Sequence, residues 1–152
     1  MTRAVLVTGA SKGIGAAIAV ALGRQDFAVA VHYRSDGAGA ERTAEAIRAA
    51  GGVCRLVQFD VGDRATCKAV LEADIAAHGA YYGVVSNAGV HPDNAFPLLT
   101  DQDWDEVIRT DLDGFYNVLK PCVMPMIQAR RGGRIVTLSS VSGVLGNRGQ
   151  VN

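Results

Sequence analysis

Short apolar runs alternate with stretches of helical spacing along the chain. Five of these runs are typical of buried parallel strands, and they cover residues 3–8, 27–33, 53–59, 84–86 and 134–138. Four other stretches have the spacing or the alanine content of helices, and they begin near Gly13, Glu41, Asp63 and Thr100. Alternating strands and helices predict a parallel sheet with helices on both faces.

Residues at the ends of these stretches predict where helices begin and end. Gly51-Gly52 should stop the second helix, because glycine readily adopts the left-handed conformation that terminates helices. Asp63 is suited to cap a third helix that runs to about His78. Thr100, with Asp103 three positions later, resembles a capping box at the start of the fourth helix.

The fourth helix is long and contains two prolines. Pro121 and Pro125 should kink or end it, because proline removes a backbone donor and clashes with the preceding turn. We expect its apolar face to comprise Trp104, Ile108, Leu112, Phe115 and Leu119.

This order of elements predicts a Rossmann-like, doubly wound α/β fold with strand order 3-2-1-4-5 in one domain over residues 1–152. After the fifth strand, residues 141–152 are predicted to form a glycine-rich, polar loop. One face of the sheet would then be bare. We therefore expect the domain to be incomplete, lacking the C-terminal strands and helices that would cover that face.

Composition narrows the classes of function. The 152 residues carry 15 Lys+Arg and 15 Asp+Glu, so bulk charge does not favour binding to nucleic acid or to a membrane surface. Hydrophobic residues make up 49%, which is typical of a globular domain. The three cysteines and three histidines lack the spacing of a disulfide framework or a metal site, and no apolar run is long enough to span a membrane. We expect a soluble, cytoplasmic protein with no bound metal.

A glycine-rich turn between the first strand and the first helix is the main candidate for ligand binding. Backbone N–H groups of such a turn can approach a pyrophosphate at a helix N-terminus. The position between strand and helix favours a dinucleotide site, whereas the alternative is an ordinary turn without a ligand. The turn comprises Gly9, Ala10, Ser11, Lys12, Gly13, Ile14 and Gly15.

The spacing Gly-x-x-x-Gly-x-Gly in this turn resembles that of the short-chain dehydrogenase/reductase family. Further matches follow at strand ends in the family's order, namely Asp60-Val61, the turn Asn87-Ala88-Gly89, and Ser140. The resemblance implies that Asp60 and Val61 lie beside the adenine of a dinucleotide. It implies that Asn87, Ala88 and Gly89 belong to the cofactor site and that Ser140 is the catalytic serine. Without the resemblance, the favoured interpretation of Ser140 would be a strand-end serine that completes a turn.

Within this family, three segments most resemble 3-oxoacyl-[acyl-carrier-protein] reductases, including those of aryl polyene synthesis: residues 31–35, 132–136 and 146–152. This resemblance implies NADPH-dependent reduction of a 3-oxoacyl thioester, held on an acyl-carrier protein, to the 3-hydroxyacyl form. It also implies a homotetramer. A reductase of another ketone, such as a sugar or a steroid, is the alternative within the family.

The choice between NAD and NADP depends on the end of the second strand. An acid there would accept hydrogen bonds from the ribose 2′-hydroxyl and select NAD. The strand instead ends in Tyr33-Arg34-Ser35, and Lys12 lies in the glycine turn, so two cations and a hydroxyl favour a 2′-phosphate and hence NADP(H). Asp36 argues against this, although it lies one or two positions late. Arg34 could also be a solvated loop charge.

The chemistry implied by the resemblance is hydride transfer to a ketone. Ser140 would hydrogen-bond the carbonyl oxygen, a tyrosine would donate the proton, and a lysine would bind ribose and lower the pKa of the tyrosine. The family's Tyr-x-x-x-Lys is expected directly after Asn152. Asp111 stands where the family has an asparagine, and an ionised carboxylate only accepts hydrogen bonds. Asp111 is either part of the catalytic site or an acid on a helix surface.

Arg130 and Arg131 precede the fifth strand and are candidate contacts for the acidic surface of an acyl-carrier protein. They could equally be solvated arginines in a glycine turn. The alternative for the chain as a whole is a dinucleotide-binding module that lacks the Tyr-x-x-x-Lys pair and does not catalyse.

Overall fold

The computed structural model describes residues 3–152, and its centre is one parallel sheet. The strand order is β3-β2-β1-β4-β5, which confirms the predicted order 3-2-1-4-5. Four of the five strands in residues 3–152 lie within the predicted runs, and β4 begins one residue before its run; the strands are β1 (Ala4–Val7), β2 (Ala28–Tyr33), β3 (Val53–Gln58), β4 (Gly83–Ser86) and β5 (Arg134–Thr137).

The register aligns the carboxyl ends of the strands at one edge. Val7 of β1 lies opposite both Val31 of β2 and Val85 of β4. Ser86 of β4 lies opposite Thr137 of β5. The loops that follow all five strands therefore emerge at the same edge of the sheet.

In the part of the chain that the structure describes, six α-helices cover or flank the sheet: α1 (Gly13–Gly23), α2 (Gly37–Ala49), α3 (Arg64–His78), α4 (Asp101–Val107), α5 (Gly114–Gln128) and α6 (Ser142–Leu145). Asp63 caps α3 and Thr100 forms a capping box with Asp103, as the sequence predicts. The helix predicted from Glu41 begins four residues earlier, at Gly37, because Asp36 accepts a hydrogen bond from the Gly39 N–H and caps it. The short helix α6 lies in the segment predicted to be a loop.

The predicted fourth helix is one helical stretch with an irregular middle. A π-helical segment, Ile108–Asp113, joins α4 to α5. Of the two effects predicted for the prolines, a kink or an end of the helix, the end was wrong, since α5 continues through Pro121 and Pro125 to Gln128. Each proline removes only one backbone donor, while Val118, Cys122 and other apolar side chains of α5 remain buried against the sheet.

The predicted apolar face of this stretch was also wrong. Of its five residues only Leu119 is buried, and Leu112 is 63% exposed. The π-helical segment inserts extra backbone per turn, so the buried positions after it no longer follow the spacing set before it.

The core lies on both faces of the sheet because successive strand residues point to opposite sides. Val5 and Val7 of β1 pack in the layer under α1 and α2, whereas Leu6 packs in the layer with α3 and α5. The edge strand β5 is different, since Ile135 is 47% exposed and Val136 is 51% exposed. These two residues point to opposite sides, so β5 is exposed on both faces, whereas the sequence predicted one bare face.

Candidate functional site

The carboxyl edge of the sheet carries nearly all of the residues that the sequence singled out. The glycine turn follows β1, Tyr33-Arg34-Ser35 ends and follows β2, and Asp60-Val61 follows β3. Asn87-Ala88-Gly89 follows β4, and Ser140 follows β5. The parallel topology therefore brings together segments that are far apart in the chain.

The glycine turn is held very close to the neighbouring turn after β4. Gly9 has a φ of +63°, and a Cβ added to it would lie 2.9 Å from Ala88 Cα. A Cβ on Gly15 would lie 2.3 Å from the Gly9 carbonyl oxygen and 2.4 Å from Asn87 Nδ2. Only glycine fits at these two positions without moving backbone.

Gly13, the middle glycine of the turn, differs from the other two. Gly13 begins α1 with a φ of +57°, and among residues 3–152 no atom lies within 4 Å of where its Cβ would be. Lys12 is the N-cap residue of α1, and no side chain of the described residues caps that end. The first N–H groups of a helix have no partner within the helix, so the N-terminus of α1 faces an open space with backbone donors.

Asn87 and Thr8 fasten the turns after β1 and β4 to each other. Asn87 Nδ2 donates to the carbonyl oxygens of Thr8 at 2.8 Å and Gly9 at 3.2 Å. In return, the Thr8 hydroxyl oxygen accepts from the backbone N–H groups of Asn87 at 2.9 Å and Ala88 at 3.0 Å. The Asn87 side chain therefore holds the backbone at the start of the glycine turn in place.

The residues after β2 present an exposed cation. The Arg34 side chain is 51% exposed, and its guanidinium lies 4.0 Å from one carboxylate oxygen each of Asp60 and Glu106. A cavity of about 410 Å³ adjoins Arg34, and α4 and the segment after it form its other wall. Gln58 Nε2 donates to the Arg34 carbonyl oxygen at 3.1 Å, which ties this segment to β3.

Asp36 has a structural task. Its Oδ1 accepts from the Gly39 N–H at 2.8 Å, and a Cβ on Gly39 would lie only 2.2 Å from Asp36 Oδ2 and 2.6 Å from the Ser11 carbonyl oxygen. The start of α2 therefore packs against the glycine turn, and the Asp36 carboxylate is used as its cap.

Asp60 and Val61 occupy the turn after β3 in different ways. Asp60 Oδ1 accepts from the Gly62 N–H at 2.8 Å, and its other carboxylate oxygen faces Arg34. The Val61 side chain is buried, and its carbonyl oxygen accepts from Asn117 Nδ2 at 2.9 Å. A contact of Val61 with a ligand would therefore have to use its backbone.

Ser140 is exposed, and its hydroxyl oxygen accepts from the Ser142 N–H at 3.1 Å. A hydroxyl that already accepts keeps its proton for donation to another group. Ser139 is exposed as well, so exposure does not distinguish the two serines.

Asp111 lies beside the turn after β4, within the π-helical segment. Its Oδ1 accepts from the Val90 N–H at 2.9 Å, and its carboxylate lies next to Gly89. Partial burial raises the pKa of Asp111, and the Val90 hydrogen bond works in the opposite direction. Asp111 thus holds the loop that follows Asn87-Ala88-Gly89.

Arg130 and Arg131 are not brought to this edge. They precede β5, so they lie at the amino end of the sheet, one strand length away from Ser140. Arg131 donates to the Ala80 carbonyl oxygen at 3.1 Å. Their contact with a carrier protein stays a prediction.

Two residues of this edge were missed by the motif analysis. Thr8 is buried and bonds the turn after β4. His32 is buried at the end of β2, where its Nδ1 accepts from the Gly9 N–H at 3.0 Å. A polar residue inside an apolar strand was the available signal, since buried polar groups require partners.

The chain matches the family model for short-chain dehydrogenases over residues 3–152. The chain belongs to the short-chain dehydrogenase family. The predicted resemblance is therefore confirmed over nearly all of the 152 residues.

Curated members of the short-chain dehydrogenase family with the name 3-oxoacyl-[acyl-carrier-protein] reductase FabG are similar to the chain. The protein from Aggregatibacter actinomycetemcomitans is 57% identical over 152 residues, which are 100% of this chain and 63% of the relative. The protein from Pseudomonas aeruginosa PAO1 is 39% identical over 150 residues, covering 99% of this chain and 60% of the relative. The chain thus spans about three fifths of the length of these relatives.

A solved structure shows the same fold. The crystal structure of a Sinorhizobium meliloti 1021 protein assigned to the short-chain alcohol dehydrogenases superposes with a TM-score of 0.91 at 32% identity. The superposition covers 99% of this chain and 60% of that one.

Residues 3–152 contain neither a candidate membrane span nor a cluster of metal-ligating side chains. None of the helices there is both long enough and apolar enough to cross a membrane. Over the same residues, no group of three or more His, Cys, Asp and Glu side chains is placed to hold a metal ion.

Proposed function

We propose that the chain binds NADPH at the carboxyl edge of the sheet, in a protein that reduces 3-oxoacyl thioesters on acyl-carrier protein to 3-hydroxyacyl thioesters. The observation that carries this proposal is the glycine turn, which is fastened to Asn87 and opens onto the N-terminus of α1. The names of similar family members support the substrate class.

The residues present fit a dinucleotide. A pyrophosphate would lie over Gly13, where a side chain is absent and the first N–H groups of α1 point outward. The helix N-terminus carries partial positive charge, and Lys12 adds a full charge next to it. Ser11, Ile14 and Gly15 complete the backbone of this cradle, and Ala88 and Gly89 would form the wall beyond it.

The end of β2 supports NADPH over NADH. Asp36, the residue that would bind a ribose 2′-hydroxyl, is already used to cap α2. Arg34 is exposed and faces only two carboxylates at 4.0 Å, a distance at which exposed ion pairs contribute little. A 2′-phosphate would therefore replace these weak partners with a stronger one, and Ser35 and Tyr33 would border it.

When bound, NADPH supplies the hydride. Ser140 would donate its hydroxyl proton to the ketone oxygen, because the Ser142 N–H already occupies a lone pair of the Ser140 oxygen. Asp111 would keep the loop after Gly89 in place through its hydrogen bond to the Val90 N–H. The proton donor and the ribose-binding lysine would come from the Tyr-x-x-x-Lys expected after Asn152. In the described residues Tyr81 is buried against Asp74 and Tyr82 stacks on Phe27, so neither is placed for this role.

Partners follow from the same proposal. An acyl-carrier protein would deliver the substrate, with Arg130 and Arg131 as candidate contacts for its acidic surface. A homotetramer would be formed through the long helix after β4, where Leu112 and Phe115 are exposed. We place the protein in the cytoplasm.

The test is an assay of the full-length protein with NADPH and acetoacetyl-acyl-carrier protein, followed by the loss of reduced-nicotinamide absorbance. We expect oxidation of NADPH, with NADH at least about tenfold poorer in kcat/KM. Arg34→Ala should raise the KM for NADPH and leave that for NADH unchanged. Arg24→Ala, an exposed arginine just after α1, is the matched control.

Other results would revise this proposal in defined ways. Activity only with sugar or steroid ketones would retain the family and change the substrate. NADPH binding without any ketone reduction, from a protein of intact mass 15.9 kDa, would favour the non-catalytic module.

A further inference from the structure

His32 places an imidazole inside the sheet, directly beneath the glycine turn. The side chain is 2% exposed. Its Nδ1 accepts from the Gly9 N–H at 3.0 Å, and its Nε2 lies 3.0 Å from the Phe59 carbonyl oxygen. Because a backbone N–H can only donate and a carbonyl can only accept, the proton of the neutral ring lies on Nε2.

The two bonded residues both adjoin the proposed nucleotide site. Gly9 is the first residue of the glycine turn, and its φ is positive. Phe59 immediately precedes Asp60, and the Asp60 carboxylate lies 4.0 Å from the Arg34 guanidinium. One side chain on β2 thus connects the ends of β1 and β3, which would contact opposite ends of the adenosine diphosphate part.

The surroundings of His32 fix both the orientation and the protonation of its ring. The Phe59 ring lies 4.0 Å from the His32 ring, centroid to centroid, and limits its rotation. Burial is the main cause that lowers the pKa of His32 from 6.5 to about 4, against the raising effects of the Phe59 carbonyl and Asp60. The ring is therefore neutral at physiological pH and available as an acceptor for Gly9.

We propose that His32 is a positioning residue for nucleotide binding, which sets the orientation of the glycine turn by accepting the Gly9 N–H. This inference rests on the proposed function, since it requires that the glycine turn binds NADPH. His32 touches no reacting group, so its substitution should change cofactor affinity and leave the rate of the chemical step unchanged.

Three variants separate the two hydrogen bonds. In His32→Asn the amide oxygen can take the position of Nδ1 and accept from Gly9. In His32→Gln the longer side chain can place its N–H₂ near the position of Nε2 and donate to Phe59. His32→Phe retains the ring volume and makes neither bond.

The measurement is the Kd of NADPH for the full-length protein, together with kcat and both KM values. We expect the Kd of His32→Asn to stay within about threefold of the unsubstituted protein, and that of His32→Gln and His32→Phe to rise about tenfold or more. The kcat at saturating NADPH and the KM for the acyl substrate should not change. If His32→Phe does not fold, the comparison of Asn with Gln remains decisive.

Tyr81→Phe is the control for a purely structural effect. Tyr81 is buried, donates to Asp74, and precedes β4 at the amino edge of the sheet, away from the glycine turn. We expect this variant to lower the melting temperature and to leave the Kd of NADPH unchanged. If the His32 variants behave in the same way, the positioning role is refuted. If the unsubstituted protein does not bind NADPH, the proposed function fails, and this inference fails with it.

Discussion

Gly15→Ala tests whether the glycine turn must be as closely packed as the structure shows. Gly15 lies in the first turn of α1, where alanine would ordinarily be favoured over glycine by about 1 kcal/mol. The added Cβ would lie 2.3 Å from the Gly9 carbonyl oxygen. The two atoms must therefore separate by about 1 Å to reach the 3.4 Å of ordinary contact.

Hydrogen bonds on both sides of Gly9 restrict this movement of its backbone. Its carbonyl accepts from Asn87 Nδ2 at 3.2 Å, and its N–H donates to His32 at 3.0 Å. Overpacking of this kind costs about 1–3 kcal/mol, and a hydrogen bond lost on displacement costs about 1 kcal/mol more. After the gain in helix propensity, we expect Gly15→Ala to reduce the free energy of unfolding by about 1–3 kcal/mol. A turn displaced by about 1 Å should also bind NADPH at least about tenfold more weakly.

The assay is urea unfolding and NADPH titration of Gly15→Ala beside Gly23→Ala. Gly23 ends the same helix, and its added Cβ would meet the Ile47 side chain at 2.7 Å rather than backbone. Because Ile47 is fully buried and branched at Cβ, we expect Gly23→Ala to destabilise the protein as well, by about 1–3 kcal/mol, but to leave the Kd of NADPH unchanged. If Gly15→Ala is as stable as the unsubstituted protein and binds NADPH equally well, the argument from close packing is wrong.

Three further predictions concern charge. Because the pKa of His32 is lowered from 6.5 to about 4 in the native protein, only the unfolded chain binds a proton at His32 between these pH values. From pH 7 to pH 5, the free energy of unfolding should therefore fall by about 2 kcal/mol more than it does in His32→Asn. Equal pH slopes in urea unfolding would contradict this. Burial raises the pKa of Asp111, so the charged carboxylate lowers the free energy of unfolding at neutral pH. Asp111→Asn retains an acceptor for the Val90 N–H, and this variant should be more stable than the unsubstituted protein at pH 7 but not at pH 3. A loss of stability at pH 7 would refute this prediction. Glu106→Gln should lower the KM for NADPH about two- to fivefold and leave the KM for NADH unchanged, because the Glu106 carboxylate competes with the 2′-phosphate for Arg34. An equal change for both cofactors would show that Arg34 does not contact the 2′-phosphate.

The motif residues at the carboxyl edge illustrate how far sequence reasoning reached. The predicted strands place the glycine turn, Asn87-Ala88-Gly89 and Ser140 at strand ends, and a parallel sheet brings strand ends together. The order of the strands followed from the alternation of elements together with a switch point placed after the first strand. Motif spacing was also sufficient to identify the family, because the spacing of these residues depends only on the local turn.

The long helix after β4 shows where this reasoning failed. Spacing alone predicted that Trp104 and Leu112 face the core, yet both are exposed. The π-helical segment changes the register between α4 and α5, and the spacing of apolar residues does not predict this change.

Local patterns determined the elements, their order and the glycine turn, because strand periodicity, helix caps and positive-φ glycines depend on residues a few positions apart. Tertiary structure decided which groups complete the site. The pairing of Asn87 with Thr8, the bond from Gly9 to His32 and the facing of Arg34 and Glu106 join residues that are 23 to 79 positions apart. Whether a buried polar side chain serves the core or the site depends on the partner that the fold brings to it, and this partner lies in another strand or helix.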